Sequence, residues 1–273
     1  MNHATLLVIT PTLGESAFLD STMASVVALG LPVIHVLAAP PARMAALRER
    51  YPHATVVKDA GRSGGIYGAL NEALLATPEG WDWFTYINDD DRLLPGFRDM
   101  VQRHCAQPAP EPVTYGNVEL IDESGRHLGV VTVEPNPRWI PALLQEGISP
   151  VMQQGMLFHR DCVTRLGGFD TRYRLCADLD FWLRARAAGE PFRYYDLPVA
   201  QFRLRRGQLS SNTARTILEQ DSIVRRHFPE QLPAWRRQVA RWRYRIHNFP
   251  RYLERTRRAR SLRTSYQMLE HRP

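Results

Sequence analysis

At 273 residues, 44% hydrophobic and 23% charged, the chain has the composition of an ordinary globular protein able to bury one large α/β core, alone or with an appendage. The net charge of +7 is uneven: residues 230–273 carry 12 Arg against 3 Glu, which leaves residues 1–229 at −2, so the basicity belongs to the tail. Cys105, Cys162 and Cys176 are an odd set without metal-type spacing, which argues for free thiols in a reducing cytosol and against a zinc site.

The opening MNHATLLVITPT lacks a basic segment and a small-residue cleavage site, so no secretory signal is expected. The uncharged stretch Ser21–Ala42 could span a bilayer by length. Gly30-Leu31-Pro32, His35 and Pro40-Pro41 break it into a helix end, a turn and a strand, so no transmembrane helix is expected. LLVITP (6–11) reads as a buried parallel strand and residues 16–29 as a helix. PVIHVLAA (32–39), ARMAALRERY (42–51) and ATVVKD (54–59) continue as strand, helix and strand. GRSGG then precedes IYGALNEALLA, whose Ile66, Leu70, Ala73 and Leu74 fall at helical spacing, and WFTYIN (83–88) forms the next strand. This βα rhythm predicts a doubly wound, nucleotide-binding half-domain.

The second half is mixed. VTYGNVELID and HLGVVTV flank Glu123-Ser124-Gly125 as a hairpin or a turn-linked pair. QGMLFHR (154–160) is a strand, followed by a short helix ending at Gly167-Gly168. Residues 179–188 read as a helix, 192–204 as extended structure, and the chain from about 211 as helices broken near Pro229, Pro233 and Pro250. The expected division is a nucleotide-binding domain over 1–229 and a basic, aromatic-rich helical extension over 230–273.

In an open α/β sheet ligands sit beyond the carboxyl ends of the strands. Pro11-Thr12, the Arg62–Gly65 loop and Asp89-Asp90-Asp91 all fall there. Gly64-Gly65 lets backbone approach a ligand, and the helix start behind it favours anions. The aspartate triplet carries two readings: a solvated acidic turn before Pro95-Gly96, or a divalent-cation site in which Asp89 and Asp91, one residue apart, share Mg²⁺ or Mn²⁺ with substrate phosphates. Asp178, at the start of a helix with Phe181 and Trp182, is either a helix cap or a general base toward a hydroxyl.

Six segments, in order over about residues 5–225, resemble family 2 glycosyltransferases: VITPT, GGIYGALNEAL, YINDDDRLLPGF, VTYGNVELIDESG, QGMLFHRDCVTRLGGFD and CADLDFWLRARAAG. The resemblance implies a GT-A fold, a mixed sheet flanked by helices, and an inverting transfer from a nucleotide-sugar donor, a UDP-sugar first, to a saccharide or lipid-linked acceptor. It implies that Asp89 and Asp91 of the DXD segment hold Mn²⁺ or Mg²⁺. Asp90 would then face the donor, and Asp178 would deprotonate the acceptor. Pro11, Thr12, Arg62, Gly64, Gly65 and Asn71 are implied on the donor side, and Gln154 and Trp182 on the acceptor side.

The chain departs from the family pattern at four places. HVLAAPP has no carboxylate, Leu70 precedes Asn71, and Ala177 stands before Asp178 where the family has an acid. FRLRRGQLSSN lacks the family's histidine and offers Arg205 and Arg206, whose guanidinium groups suit the leaving diphosphate. The expected setting is cytoplasmic, at the inner face of the membrane, in surface polysaccharide or glycolipid assembly. A nucleotidyltransferase and a non-catalytic sugar-nucleotide-binding scaffold are the rival readings. For the tail, PAWRRQVARWRYRIHNFPRYLERTRRARSLR, the readings are packing on the domain, peripheral contact with anionic lipid, or nucleic acid. No binding module accompanies the charge, so nucleic acid is not expected.

Overall fold

The structure, a computed structural model, describes residues 4–61, 65–77, 79–205, 207–208 and 213–259. Its centre is a nine-stranded mixed sheet among the described residues. β1 (Leu6–Pro11) lies between β2 (Val33–Ala39) and β4 (Trp83–Tyr86), all parallel, with β3 (Thr55–Lys58) at the edge. Every residue of β1 is buried. Leu7 and Ile9 enter the core on one face, while Leu6 and Val8 enter the core on the other. A strand covered on both faces has no polar side, which is why LLVITP shows no alternation.

Beyond β4 the sheet changes character. β8 (Leu157–His159) pairs antiparallel with β4 and with β6 (Val113–Ile121). β7 (His127–Val130) closes the hairpin with β6, as the Glu123-Ser124-Gly125 turn predicts, and Gly125 takes φ +85° there. β9 (Phe192–Arg203) runs parallel to β6, and its end holds the two-residue β5 (Arg92–Leu93) antiparallel. The chain segment immediately after the aspartates is thereby pinned to β9.

α1 (Leu19–Val27), α2 (Met44–Arg50) and α3 (Ile66–Ala76) follow the strands in the expected rhythm. α4 (Pro95–Cys105) corrects one expectation: Pro95-Gly96 opens a helix and is not merely a turn. Proline suits the first helical position, where its missing N–H is no loss. Gly96 lets α4 approach β9, since a Cβ there would lie 2.1 Å from the Pro198 carbonyl oxygen. α5 (Ile140–Leu144) and α6 (Arg160–Leu166) are short, and α7 (Ala177–Ala187) and α8 (Thr213–His227) complete the layer near α3.

α9 (Ala234–Ala259) corrects a second expectation, because it continues through Pro250. Pro250 and Ile246, whose carbonyl loses its intrahelical partner there, both lie on the exposed side of the helix, where solvent can replace that bond. Ala240 and Tyr244 pack on Ala142 and Leu143 of α5. The Asn248 side chain bonds both Val133 N and Val133 O, at 3.0 and 2.9 Å. No helix among the described residues is long and apolar enough to cross a membrane.

Candidate active site

The strand order β3-β2-β1-β4 places the topological switch between β1 and β4, where a crevice opens beyond their carboxyl ends. A cleft of ≈ 200 Å³ lies there, reached by Pro11 from β1, Asp89 and Asp90 after β4, Asp178 from α7, and Arg205 after β9.

The acidic segment is a turn closed by Asp91 N donating to Asn88 O at 3.1 Å. The middle residues of such a turn, Asp89 and Asp90, project into the cleft, while the fourth folds back beneath them. Asp89 accepts from the Thr12 hydroxyl at 2.6 Å, and the Ser16 hydroxyl donates to its backbone oxygen at 2.9 Å, which ties the turn to the loop after β1. Burial raises the Asp89 carboxyl above its usual range. Asp90 is ion-paired with Arg205 at 2.6 Å.

Asp91 is fully buried. Its carboxylate accepts from Arg203 N at 2.9 Å, from the Gln154 amide at 3.0 Å and from the Asn88 amide at 3.3 Å. Burial, then the neighbouring Asp90 charge, pushes its carboxyl well above the ordinary range. In this geometry Asp91 braces the underside of the turn, and the adjacent Asp89 and Asp90, not Asp89 and Asp91, line the cleft. Two such groups, with substrate phosphates as further ligands, are the set that Mg²⁺ or Mn²⁺ takes. Among the described residues no three His, Cys, Asp or Glu side chains converge as a self-sufficient metal site.

Asp178 lies in the first turn of α7, after the N-cap Cys176. One of its oxygens, Oδ1, accepts from Leu179 N at 2.8 Å and from the Tyr67 hydroxyl at 3.0 Å. Glu219 of α8 accepts from Leu175 N and Cys176 N, fixing the approach to the helix. Burial, only partly offset by these hydrogen bonds, lifts the Asp178 carboxyl to about 6. A carboxylate with one oxygen restrained, bordering a cleft and titrating near neutrality, is suited to accept a proton. Its neighbour Asp180 is unavailable, being held by Arg184 at 2.8 Å and His227 at 3.0 Å.

The remaining expected residues fall at different places around the cleft. Pro11, Gln154 and Trp182 line the cleft, with Trp182 set edge-on against Phe192. Thr12 is buried behind Asp89, and its hydroxyl also accepts from Gly14 N at 2.9 Å. Gly65 caps α3 with φ +59°, near Arg174, which lines the cleft. Arg62, Gly64 and Arg206 lie outside the described residues.

Asn71, expected beside the donor, instead braces the Gly-Gly-Phe-Asp turn: its amide donates to Phe169 O at 2.8 Å and its oxygen accepts from Phe169 N at 2.8 Å. Gly168 allows this at φ +86°, since a Cβ there would sit 2.6 Å from Asn71 Oδ1. Asn71→Ala is therefore expected to lower stability by about 2–3 kcal/mol, the cost of two orphaned backbone groups, without changing nucleotide affinity. Urea unfolding beside a nucleotide titration checks this, and an unchanged midpoint with weakened nucleotide binding would restore Asn71 to the donor side.

Arg203 and Tyr67 join the site without being expected there from the sequence. Arg203 is 1% exposed and donates to Asp90 O, Asp122 O and Glu123 O while stacking on Phe18 at 4.3 Å. The available signal was strand alternation, which puts Arg203 and Arg205 on the same side of an extended segment.

Residues 83–270 match the family described as Glycosyl transferase family group 2. No curated protein sequence matches the chain. Among solved structures, the chain is similar to the 1–349 portion of S. aureus TarS in complex with UDP-GlcNAc (TM-score 0.60, 16% identity, covering 90% of this chain and 73% of that one). It is also similar to the mannosyltransferase PcManGT from Pyrobaculum calidifontis in complex with GDP-Man and Mn²⁺ (TM-score 0.54, 16% identity, covering 93% and 73%). At such identities the likeness shows the fold, a GT-A mixed α/β sheet flanked by helices, as expected from the sequence.

Proposed function

The chain belongs to glycosyl transferase family group 2, and we propose that it moves a sugar from a nucleoside-diphosphate-sugar donor to an acceptor hydroxyl with inversion at the anomeric carbon. The observation that carries this reading is the joint placement in one cleft of Asp178, with a carboxyl near 6, and the Asp89-Asp90-Arg205 group. Asp178 takes the proton from the acceptor hydroxyl as it attacks the anomeric carbon. The bond from that carbon to the diphosphate oxygen breaks on the far side, and the nucleoside diphosphate leaves.

Tyr67 and Leu179 N hold the base in place. Arg205 is a fixed cation for the negative charge that builds on the leaving phosphates, where preorganised charge has most effect. Asp89 and Asp90 would hold Mn²⁺ or Mg²⁺, which when bound acts as a Lewis acid on the diphosphate. Gln154 and Trp182 line the acceptor side. A UDP-sugar is the first donor to try, and a saccharide or lipid-linked acceptor in surface polysaccharide or glycolipid assembly fits the reading. The setting proposed is the cytoplasm, at the inner membrane face.

A panel of UDP- and GDP-sugars, with and without Mn²⁺ or Mg²⁺, tests the proposal by the phosphate product. Nucleoside diphosphate released with a sugar supports transfer. Pyrophosphate would indicate nucleotidyl transfer, and binding without turnover a scaffold. The acidic limb of the rate gives a second test: kcat/KM should fall about tenfold per pH unit below about 6 as Asp178 protonates. A rate flat down to pH 4 would remove Asp178 as the base.

A further inference from the structure

Among the described residues, α9 packs one face against the rest of the protein. Ala240, Tyr244, Asn248 and Arg255 are buried on that face. At about 100° per residue, Trp235, Val239, Trp242, Ile246, Phe249 and Leu253 all fall within about 40° of one line along the opposite face. These six are between 40% and 71% exposed. Single exposed apolar residues need no explanation, but six in an unbroken 3–4 repeat along a helix of about 39 Å form a continuous surface.

Charge decides what that surface fits. The helix has nine arginines and a single acid, Glu254, which already pairs with Arg258 at 3.0 Å. Arg237 and Arg241 are spent on Glu146, and Arg251 lies near Asp196. Arg243 and Arg245 flank the apolar stripe about 80° to either side. Both are exposed, and neither meets a carboxylate among the described residues. A second copy seated on the stripe would bring these arginines against their own equivalents, with no acid on the flanks to pair them. A layer of phosphate headgroups over hydrocarbon answers both features, because Trp and Phe suit the boundary and arginine pairs with phosphate.

We propose that α9 lies flat on a bilayer surface containing anionic phospholipid, its stripe from Trp235 to Leu253 entering the headgroup boundary and Arg243 and Arg245 pairing with lipid phosphates. The inference rests on the exposure and charge of α9. It does not depend on the reaction assigned to the cleft, and the vesicle measurement uses no donor, so the two can fail separately.

The test is sedimentation of the full chain with phosphatidylcholine vesicles that contain or lack phosphatidylglycerol, with light scattering of the free protein. The expected result is binding to the anionic vesicles that weakens with salt. The triple variant Trp242→Ser, Ile246→Ser, Phe249→Ser should lose at least about tenfold in partitioning, while Arg243→Gln with Arg245→Gln should lose roughly fivefold per arginine, on anionic vesicles alone. The triple variant leaves the packed face intact and should unfold at the wild-type midpoint; Arg243 also stacks over Trp139 at 5.3 Å, so Arg245→Gln alone, expected to lose about fivefold, accompanies the double variant. Wild-type protein that does not sediment, or a triple variant that binds equally, overturns the proposal. So does a dimer that the triple variant splits, which would assign the stripe to a second copy.

Discussion

Asp178→Asn is expected to lower kcat for transfer by about 10²–10⁴, the range that a positioned general base contributes, while nucleotide-sugar affinity stays near wild type. The substitution suits the test because both hydrogen bonds to Asp178 converge on Oδ1, from Leu179 N and the Tyr67 hydroxyl. An asparagine can keep its carbonyl oxygen there and turn its amide to the cleft. The same variant should be more stable than wild type above pH 7. Burial holds the native carboxyl at about 6, above the ~3.9 of an unfolded chain, so between those values the native state binds the extra proton. Stability from this group is therefore present at low pH and is lost as pH rises through about 6. Removing the ionisable group should recover roughly 2 kcal/mol at pH 8 and little at pH 4, read from urea midpoints. An inactive variant that is also less stable at pH 8 would make Asp178 a structural residue.

The second large effect is expected at Asp90, which is 4% exposed but lines the cleft, and it separates the cleft-lining acids from Asp91 beneath them. Asp90→Asn should reduce kcat/KM by about 10²–10³ and raise the Mn²⁺ concentration needed for half-maximal rate, in protein that stays folded although the Arg205 pair loses its charge. Asp91→Ala should do the reverse in kind. It strips acceptors from Arg203 N and the Gln154 amide inside the protein, costing about 3 kcal/mol, so its activity loss should follow unfolding. If instead Asp91→Ala folds normally and selectively loses its metal response, the pairing of Asp89 with Asp91 is the correct one.

These two sites show how far the sequence reaches. The strands through Tyr86 were legible because a run such as Leu6–Pro11, covered on both faces, must be apolar throughout. The placement of the aspartates at a strand end was legible for the same reason. Which two of the three face the cleft was not: a one-residue separation puts side chains together in an extended chain, whereas Asn88–Asp91 is a turn closed by its own hydrogen bond. The contacts of Asn71 and Arg203 were not legible because their partners, Phe169 and Asp90, lie 98 and 113 residues away. Asp178 stood as cap or base by spacing alone. The distinguishing facts, its Tyr67 contact and its raised carboxyl, come from packing between α3 and α7. In α9, arginine and aromatic positions were readable, but which face is covered became visible only with β7 and α5 in place.

The most direct test of the central claim is time-resolved proton NMR of the anomeric signal while purified protein turns over an α-linked nucleotide sugar that it binds. The expected result is a first-formed sugar product of β configuration, appearing in step with nucleoside diphosphate. A product that retains the α configuration would contradict single displacement at Asp178, and a bound donor whose anomeric signal never changes would contradict transfer altogether.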